Sequence, residues 1–574
     1  MNIIRTRRIA QAFFFGLFLW FCLVTSVGDH WWQLRGWPVN WLLQLDPLVA
    51  LGTLLTTRRL YAGLLWALPV IALTIVLGRF FCGWVCPFGA LHQFLGWLAQ
   101  RRRRHAERAA RNRYHRAQRF KYYLLATLLV GAACGLLQTG LLDPIPLMHR
   151  SVNLFVLGAV GAPGAGSRVT VAAGSIAAIF LAAILLNLWV PRFYCRFVCP
   201  LGALFGLLVR WTPWRVGKRK AECNECELCQ DHCEGACAPF GKIRTSECLL
   251  CLNCLHACRQ AEMTYGPERS AAGEINTPEI TRRGFLVAAL SGAATAPAVR
   301  LGGRFERGWN PQVVRPPGAL AEELFLDRCV KCGQCMRVCP TNVLQPALLQ
   351  AGLVGLWTPV LNFRAGSSGC QLNCIACGHV CPTAAIRPLA LEEKLGRDRF
   401  APAGPVRVGT AFVDRGRCLP WAMDLPCIVC QENCPVSPKA IDLREEFRPV
   451  RDAKRAIRSA TASSVTVEGP AWPSGRLATG DCFVSLETEP ASERRLITEN
   501  SANSVTVANP WPEPPKSGSE AVIEIRLQQP IVDPHGCIGC GICEHECPVS
   551  GWRAIRVTAE NESRNPRHSL NPSA

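Results

Sequence analysis

Four stretches of the chain, roughly residues 9–27, 60–78, 121–142 and 169–191, are apolar on every face and about 19 residues or longer, the length a helix needs to cross the hydrocarbon of a bilayer. Soluble core helices are seldom so long and so uniformly apolar, and the pattern predicts a four-span membrane domain over residues 1–205. Basic residues then orient it. Arg5, Arg7 and Arg8 precede the first span, ten basic residues from Arg101 to Lys121 face a single Glu107 between the second and third, and Arg210, Arg215, Lys218, Arg219 and Lys220 follow the fourth. Positive charge stays on the cytoplasmic side, so both ends of the block are expected there. Trp31, Trp32, Trp37 and Trp41 in the first external loop fit an interfacial aromatic belt.

The block repeats internally. Asp46-Pro47, then a span ending in Cys82-Gly-Trp-Val-Cys86-Pro87-Phe-Gly-Ala-Leu91, recurs as Asp143-Pro144 and Cys195-Arg-Phe-Val-Cys199-Pro200-Leu-Gly-Ala-Leu204. Two like halves are expected to pack about a pseudo-twofold axis. That axis brings Cys82, Cys86, Cys195 and Cys199 together as a metal or redox site, unless they are simply buried packing residues. The Asp-Pro pairs either form turns or line a quinol pocket near the outer surface, with His30 or His149 accepting a proton.

Beyond the apolar block, cysteine dominates: 24 of the 32 cysteines fall into six runs of four. Long apolar spans and this grouping argue against a secreted disulfide scaffold. The net charge of +21, from 63 basic and 42 acidic residues, clusters beside the spans and reads as topology, with no nucleic-acid partner. A 4Fe-4S cubane takes three thiolates from one tight loop and a fourth, often followed by proline, from another motif. Cys329, Cys332, Cys335 and Cys339-Pro340 have that spacing, as do Cys537, Cys540, Cys543 and Cys547-Pro548. Cys370, Cys374, Cys377 and Cys381-Pro382 widen the first gap, and Cys418, Cys427, Cys430 and Cys434-Pro435 widen it further. Cys223, Cys226, Cys229 and Cys233, then Cys248, Cys251, Cys254 and Cys258, stand in tandem without the proline, so a zinc ribbon competes there. The tandem predicts one cluster on Cys223, Cys226, Cys229 and Cys258 and another on Cys248, Cys251, Cys254 and Cys233, for which Cys237 is a possible substitute. About six clusters are expected in all; Cys22, Cys134 and Cys482 are read as structural.

These motifs divide the chain. A two-cluster cytoplasmic ferredoxin occupies 206–278, and a four-cluster ferredoxin of the bacterial α+β type occupies 301–455 and 526–557. Between them, at 279–300, Thr281-Arg282-Arg283-Gly284-Phe285-Leu286 and an apolar run read as a twin-arginine signal or a fifth membrane segment. Ala296-Pro297-Ala298 is either a cleavage site or part of an uncleaved tether. Residues 456–525 alternate as short strands, with Ser463-Ser-Val-Thr-Val467 echoed by Asn503-Ser-Val-Thr-Val507, and form a small β insertion. Residues 558–574 read as a disordered polar tail.

Four spans, two Cys-x-x-x-Cys-Pro motifs and a following two-cluster ferredoxin resemble the NapH family and its relatives MauN, NosR and CcoG. The segment from Arg282 onward resembles the NapG and MauM ferredoxins. The resemblance implies a NapH-like and a NapG-like protein joined head to tail in a bacterial inner membrane, with ferredoxins on both sides. It further implies quinol oxidation and delivery of electrons to a periplasmic reductase or cytochrome; the alternative it suggests is a maturation factor that reduces or assembles a periplasmic metalloenzyme. It also implies that outer motifs pair with outer and inner with inner. On that pattern Cys547 joins Cys329, Cys332 and Cys335; Cys339 joins Cys537, Cys540 and Cys543; Cys434 joins Cys370, Cys374 and Cys377; and Cys381 joins Cys418, Cys427 and Cys430.

Overall fold

The computed structural model describes residues 3–25, 38–59, 61–159, 171–220, 226–304, 310, 312–487 and 493–570. They fall into two compact units, Met1–Ser367 with Asn373–Val406 and Ser563–Arg567, and Ser368–Leu372 with Arg407–Glu562 and His568–Ala574.

The first unit begins with α1 (Ile3–Val24), the one helix among the described residues long and apolar enough to cross a membrane. The other expected spans are shorter or interrupted. Residues 60–78 become a 3-10 turn, Ala62–Trp66, running into a helix over Ala67–Leu77 that Gly78 ends at φ 91°. Residues 121–142 become a helix over Phe120–Ala133 that stops where Gly135 takes φ 82°, with the amide of Leu136 folding back onto the carbonyl of Gly131 at 2.8 Å. Glycine reaches this left-handed conformation without a Cβ clash, which makes it a natural stop. The fourth is the helix Val171–Trp189.

The repeat is visible as four matched helix starts. Asp46 caps a helix over Pro47–Thr57, accepting from the amide of Leu48 at 2.9 Å, and Asp143 caps one over Pro144–Ser151, accepting from Ile145 at 3.3 Å. Cys86 Sγ accepts from the Gly89 amide at 3.4 Å to start Pro87–Gln100, and Cys199 Sγ accepts from Gly202 at 3.1 Å to start Pro200–Leu208. Each cap precedes a proline, whose missing N–H costs nothing at a first helical position. A π-turn, Phe81–Val85 or Tyr194–Val198, leads into each cysteine cap.

The segment holding the paired arginines is a 23-residue helix, Arg282–Arg304. It runs parallel to Phe120–Ala133: Tyr123 Oη meets Thr281 Oγ1 at 3.2 Å, and further along Thr127 Oγ1 donates to the carbonyl of Ala288 at 3.0 Å. At Gly292 a Cβ would stand 2.5 Å from the carbonyl oxygen of Thr127, so the closeness of the pair depends on glycine there.

In the second unit a six-stranded closed barrel comprises β1 (Ile441–Ala460), β2 (Ser464–Val467), β3 (Cys482–Leu486), β4 (Arg495–Asn500), β5 (Ser504–Val507) and β6 (Glu520–Val532). The echoed segments are β2 and β5, paired antiparallel with Val465 opposite Val505. Val465, Val467, Val505 and Val507 fill the core with Trp472 and Trp511, as alternation predicts. The strands overrun the expected 456–525: β1 and β6 pair as a long ribbon from Ile441 opposite Val532 to Ala456 opposite Glu520.

Within the expected tail, Arg564 donates to Glu322 at 2.8 Å in the first unit and His568 Nδ1 meets Glu562 at 2.6 Å in the second; residues 571–574 lie outside the described residues.

Candidate functional site

Three cysteine loops share one backbone device. The residues on both sides of the second cysteine are left-handed: Leu250 and Leu252 around Cys251, Lys331 and Gly333 around Cys332, Gly539 and Gly541 around Cys540. Such a conformation costs a non-glycine residue about 1 kcal/mol or more. Its use at two leucines and a lysine shows a backbone shape imposed by the site, one that curls successive amides around a common centre.

The thiols gather in sets. Cys251 and Cys254 lie in the electrostatic field of Cys248 and Cys233, the grouping expected for one cytoplasmic cluster. Cys237 stands 3.4 Å from Cys233, Sγ to Sγ. Of the cysteines expected in the companion set, Cys229 is buried and Cys226 exposed, and Cys223 lies outside the described residues. Cys329, Cys332 and Cys335 neighbour Cys381 in the first unit. In the second, Cys418 and Cys430 neighbour Cys427 and Cys547, while Cys537, Cys540 and Cys543 neighbour Cys434.

These neighbours differ from the outer-with-outer pairing: Cys381 lies with Cys329, Cys332 and Cys335, Cys547 with Cys418 and Cys430, and Cys434 with Cys537, Cys540 and Cys543. Cys374, Cys377 and Cys339 lie in the first unit, whereas Cys370 lies in the second, where its amide donates to the Cys540 carbonyl at 2.7 Å.

The donor sets fit cubanes. Among the described residues no three His, Cys, Asp or Glu side chains approach closely enough for one metal ion, and a cubane, with its own sulfides between the irons, holds thiolates farther apart than a single zinc does. Burial pushes Cys329 up to about 11 and Cys332 to about 12, so binding iron must displace their protons.

Both ferredoxin loops in the first unit dock on the helical block at a glycine. A Cβ on Gly83 would stand 2.2 Å from the carbonyl oxygen of Leu249, and one on Gly140 would stand 2.1 Å from that of Val330. Around the first, Trp84 Nε1 donates to Leu250 O at 3.0 Å, Arg79 Nη1 to Ser246 O at 2.9 Å, and Lys121 pairs with Glu247. Around the second, Arg150 Nη1 donates to Lys331 O at 2.9 Å, Asn153 Nδ2 to Gln334 Oε1 at 3.0 Å, and Lys331 to Gln138. Lys121 and Gln138 bracket Phe120–Ala133, so the two loops sit at opposite ends of a helix about 21 Å long.

Cys82, Cys86, Cys195 and Cys199 converge as the repeat predicts, each of the last three in the field of at least one thiol from the opposite half. Buried Arg79 and Arg192 stand beside them.

Asp46 and Asp143 are fully buried caps that face each other, which two carboxyls do only with a proton between them. His149 is buried with its ring edge-on to Phe18, centroids 4.8 Å apart, and His30, Trp31, Trp32 and Trp37 lie outside the described residues. Cys22 and Cys482 are buried, as structural residues would be, whereas Cys134 is exposed. Sequence reasoning missed Lys331, Arg150 and the two docking glycines; the only available signal was that each glycine falls within or beside a repeated motif.

A family model described as a 4Fe-4S binding domain matches residues 60–105 and 172–220, the two halves of the repeat, and a second of the same description matches 323–345. Ferredoxin-type protein NapG of Escherichia coli (strain K12) is 36% identical over 183 residues, 31% of this chain and 73% of NapG. Ferredoxin-type protein NapH of the same organism is 28% identical over 280 residues, 45% of this chain and 87% of NapH. Protein NirI of Paracoccus denitrificans (strain Pd 1222) is 29% identical over 229 residues; the match takes in 38% of this chain and spans only about a third (32%) of NirI. No solved structure matches.

Proposed function

The chain belongs to the family of ferredoxin-type proteins that includes NapG and NapH, and from that premise we propose that it is a quinol-oxidising, membrane-spanning electron conductor with six 4Fe-4S clusters. The carrying observation is the docking of a cluster loop at each end of one helical block, carbonyl against glycine. An assembly that only had to anchor a ferredoxin has no need of two such contacts.

Four spans with both block ends in the cytoplasm, and Arg282–Arg304 as an uncleaved crossing, complete the reading. That helix is about 34 Å long, and its apolar run between Arg283 and Arg300 is about 24 Å. Its parallel course along Phe120–Ala133 supports its carrying the chain from the cytoplasmic ferredoxin to the outer one. Clusters supply one-electron steps; the protein positions them, with Cys248, Cys251, Cys254 and Cys233 inside and Cys329, Cys332, Cys335 and Cys381 outside. Cys82, Cys86, Cys195 and Cys199 form a further redox or metal site between them. The acceptor is a periplasmic reductase or cytochrome.

Anaerobic purification with iron quantification and EPR tests this. About 24 iron atoms per chain, as six four-iron cubanes require, with signals developing on addition of a menaquinol or ubiquinol analogue, is the expected result. Full iron that quinol does not reduce overturns the dehydrogenase reading in favour of a maturation factor, and stoichiometric zinc with little iron overturns the cluster count.

A further inference from the structure

A cavity of about 810 Å³ opens between α1, the helix Pro87–Gln100 and the cytoplasmic ferredoxin. Its size suits a small organic ligand. Its two ends differ in chemistry. At the mouth are Phe15, Phe94 and Trp97, the last two 59% and 52% exposed on a helix that has no partner on that side among the described residues. At the inner end are Glu234 and Asn253, each the immediate neighbour of a cluster cysteine, Cys233 and Cys254.

The inner wall is built and rigid. Glu234 pairs with Arg192 at 2.6 Å and with Arg7 at 3.4 Å; Asn253 Nδ2 donates to Glu234 Oε1 at 2.9 Å, and Arg7 Nη2 to Asn253 Oδ1 at 3.0 Å. Gln93 Oε1 accepts from Arg192 at 2.8 Å and from Gln11 at 2.7 Å. Behind this wall His92 is fully buried, its ring edge-on to Phe88 with centroids 4.5 Å apart and stacked along Tyr194 at 6.3 Å.

We infer that this cavity is the quinol site, its headgroup held against the Arg192–Gln93 wall and its isoprenoid tail leaving past Phe94 and Trp97. The inference rests on the quinol-oxidising reading and moves the site from the outer surface, where the Asp-Pro pairs suggested it, to the cytoplasmic end. The headgroup then lies against residues that flank two ligands of a single cluster. Oxidation of one quinol to quinone breaks two O–H bonds and releases two electrons and two protons. A cluster held by Cys233, Cys248, Cys251 and Cys254 would accept the electrons one at a time, and both protons would leave through the polar end to the cytoplasm.

Two variants of the full-length holoprotein test it, with a fluorescent hydroxyquinoline N-oxide as binding probe and EPR of the clusters as second readout. Ala12→Trp places an indole in the mouth from an exposed position on α1, and Gln93→Leu removes the amide of the polar wall. Probe affinity should fall by about tenfold or more in Ala12→Trp and several-fold in Gln93→Leu, the order expected for a blocked pocket and a lost polar contact. Dithionite should still reduce all clusters in both, showing that folding and loading are intact. Unchanged probe binding and unchanged quinol reduction in Ala12→Trp would overturn the site and leave the quinol-oxidising reading standing. Wild-type clusters that dithionite reduces and quinol does not would end both. Co-purified phospholipid in the cavity that the probe cannot displace would also overturn the site.

Discussion

Lys331 sits between two ligands of the outer cluster set, with its backbone left-handed and its ammonium buried against Gln138. Burial works against its charge, and the neighbouring Cys329 favours it. A buried positive charge favours the reduced, more negative form of a neighbouring cluster. Lys331→Met should therefore lower the potential of the cluster on Cys329, Cys332, Cys335 and Cys381, read by EPR potentiometry, while leaving the iron content unchanged. Glu322 makes a second prediction. Burial would raise its carboxyl, but Arg315 at 2.5 Å and Arg564 at 2.8 Å hold it down at about 2. Its unfolded value is near 4.3, so its contribution is complete above that pH and is lost as pH falls toward about 2. Glu322→Gln should be less stable at neutral pH by about 3 kcal/mol, the order for stranding a buried cation such as Arg315. Its melting temperature should also fall less steeply than that of wild type on acidification through this window.

At the scale of elements, the cysteine spacing made the motifs and the repeat legible before any coordinates, because ligand spacing is a local property. Where each fourth cysteine goes is not local: Cys381 and Cys547 look alike in sequence, and only the folded chain places Cys381 with Cys329 and Cys547 with Cys418. The left-handed leucines at 250 and 252 were invisible for a related reason, since propensity argues against them and the site overrides it. Hydropathy marked the apolar stretches but not the breaks at Gly78 and Gly135, which depend on single residues. The helix Arg282–Arg304 yields a testable consequence. Ala296, Pro297 and Ala298 lie within it, and a signal peptidase needs extended backbone, so the purified protein should run as one chain of about 63 kDa and begin at its own N-terminus on sequencing. Two fragments would show that the tether is cut.

For the whole molecule, the barrel reads as separable from electron transfer. Ala456 faces Glu520 across β1 and β6, so replacing residues 457–519 with a tight turn joins a hairpin already in register. The shortened protein should keep its full iron content and its reduction by quinol, measured as for wild type. Loss of iron would mean that the barrel supports the cluster loops; loss of delivery to the periplasmic acceptor alone would mark it as the docking module.

A quinol site at the proposed cavity would fix the sign of an energy term. A quinol oxidised at an outer site leaves its protons where its electrons go, and no net charge crosses the bilayer. Oxidised beside Cys233, as proposed, it would leave two protons in the cytoplasm and send two electrons outward, toward the positive side of a respiring membrane. Each such charge gains about 2.3 kcal/mol per 100 mV. In proteoliposomes holding the protein in this orientation, an interior-negative potassium diffusion potential should then accelerate electron delivery and an interior-positive one should slow it, making the molecule a voltage-assisted drain on the quinol pool.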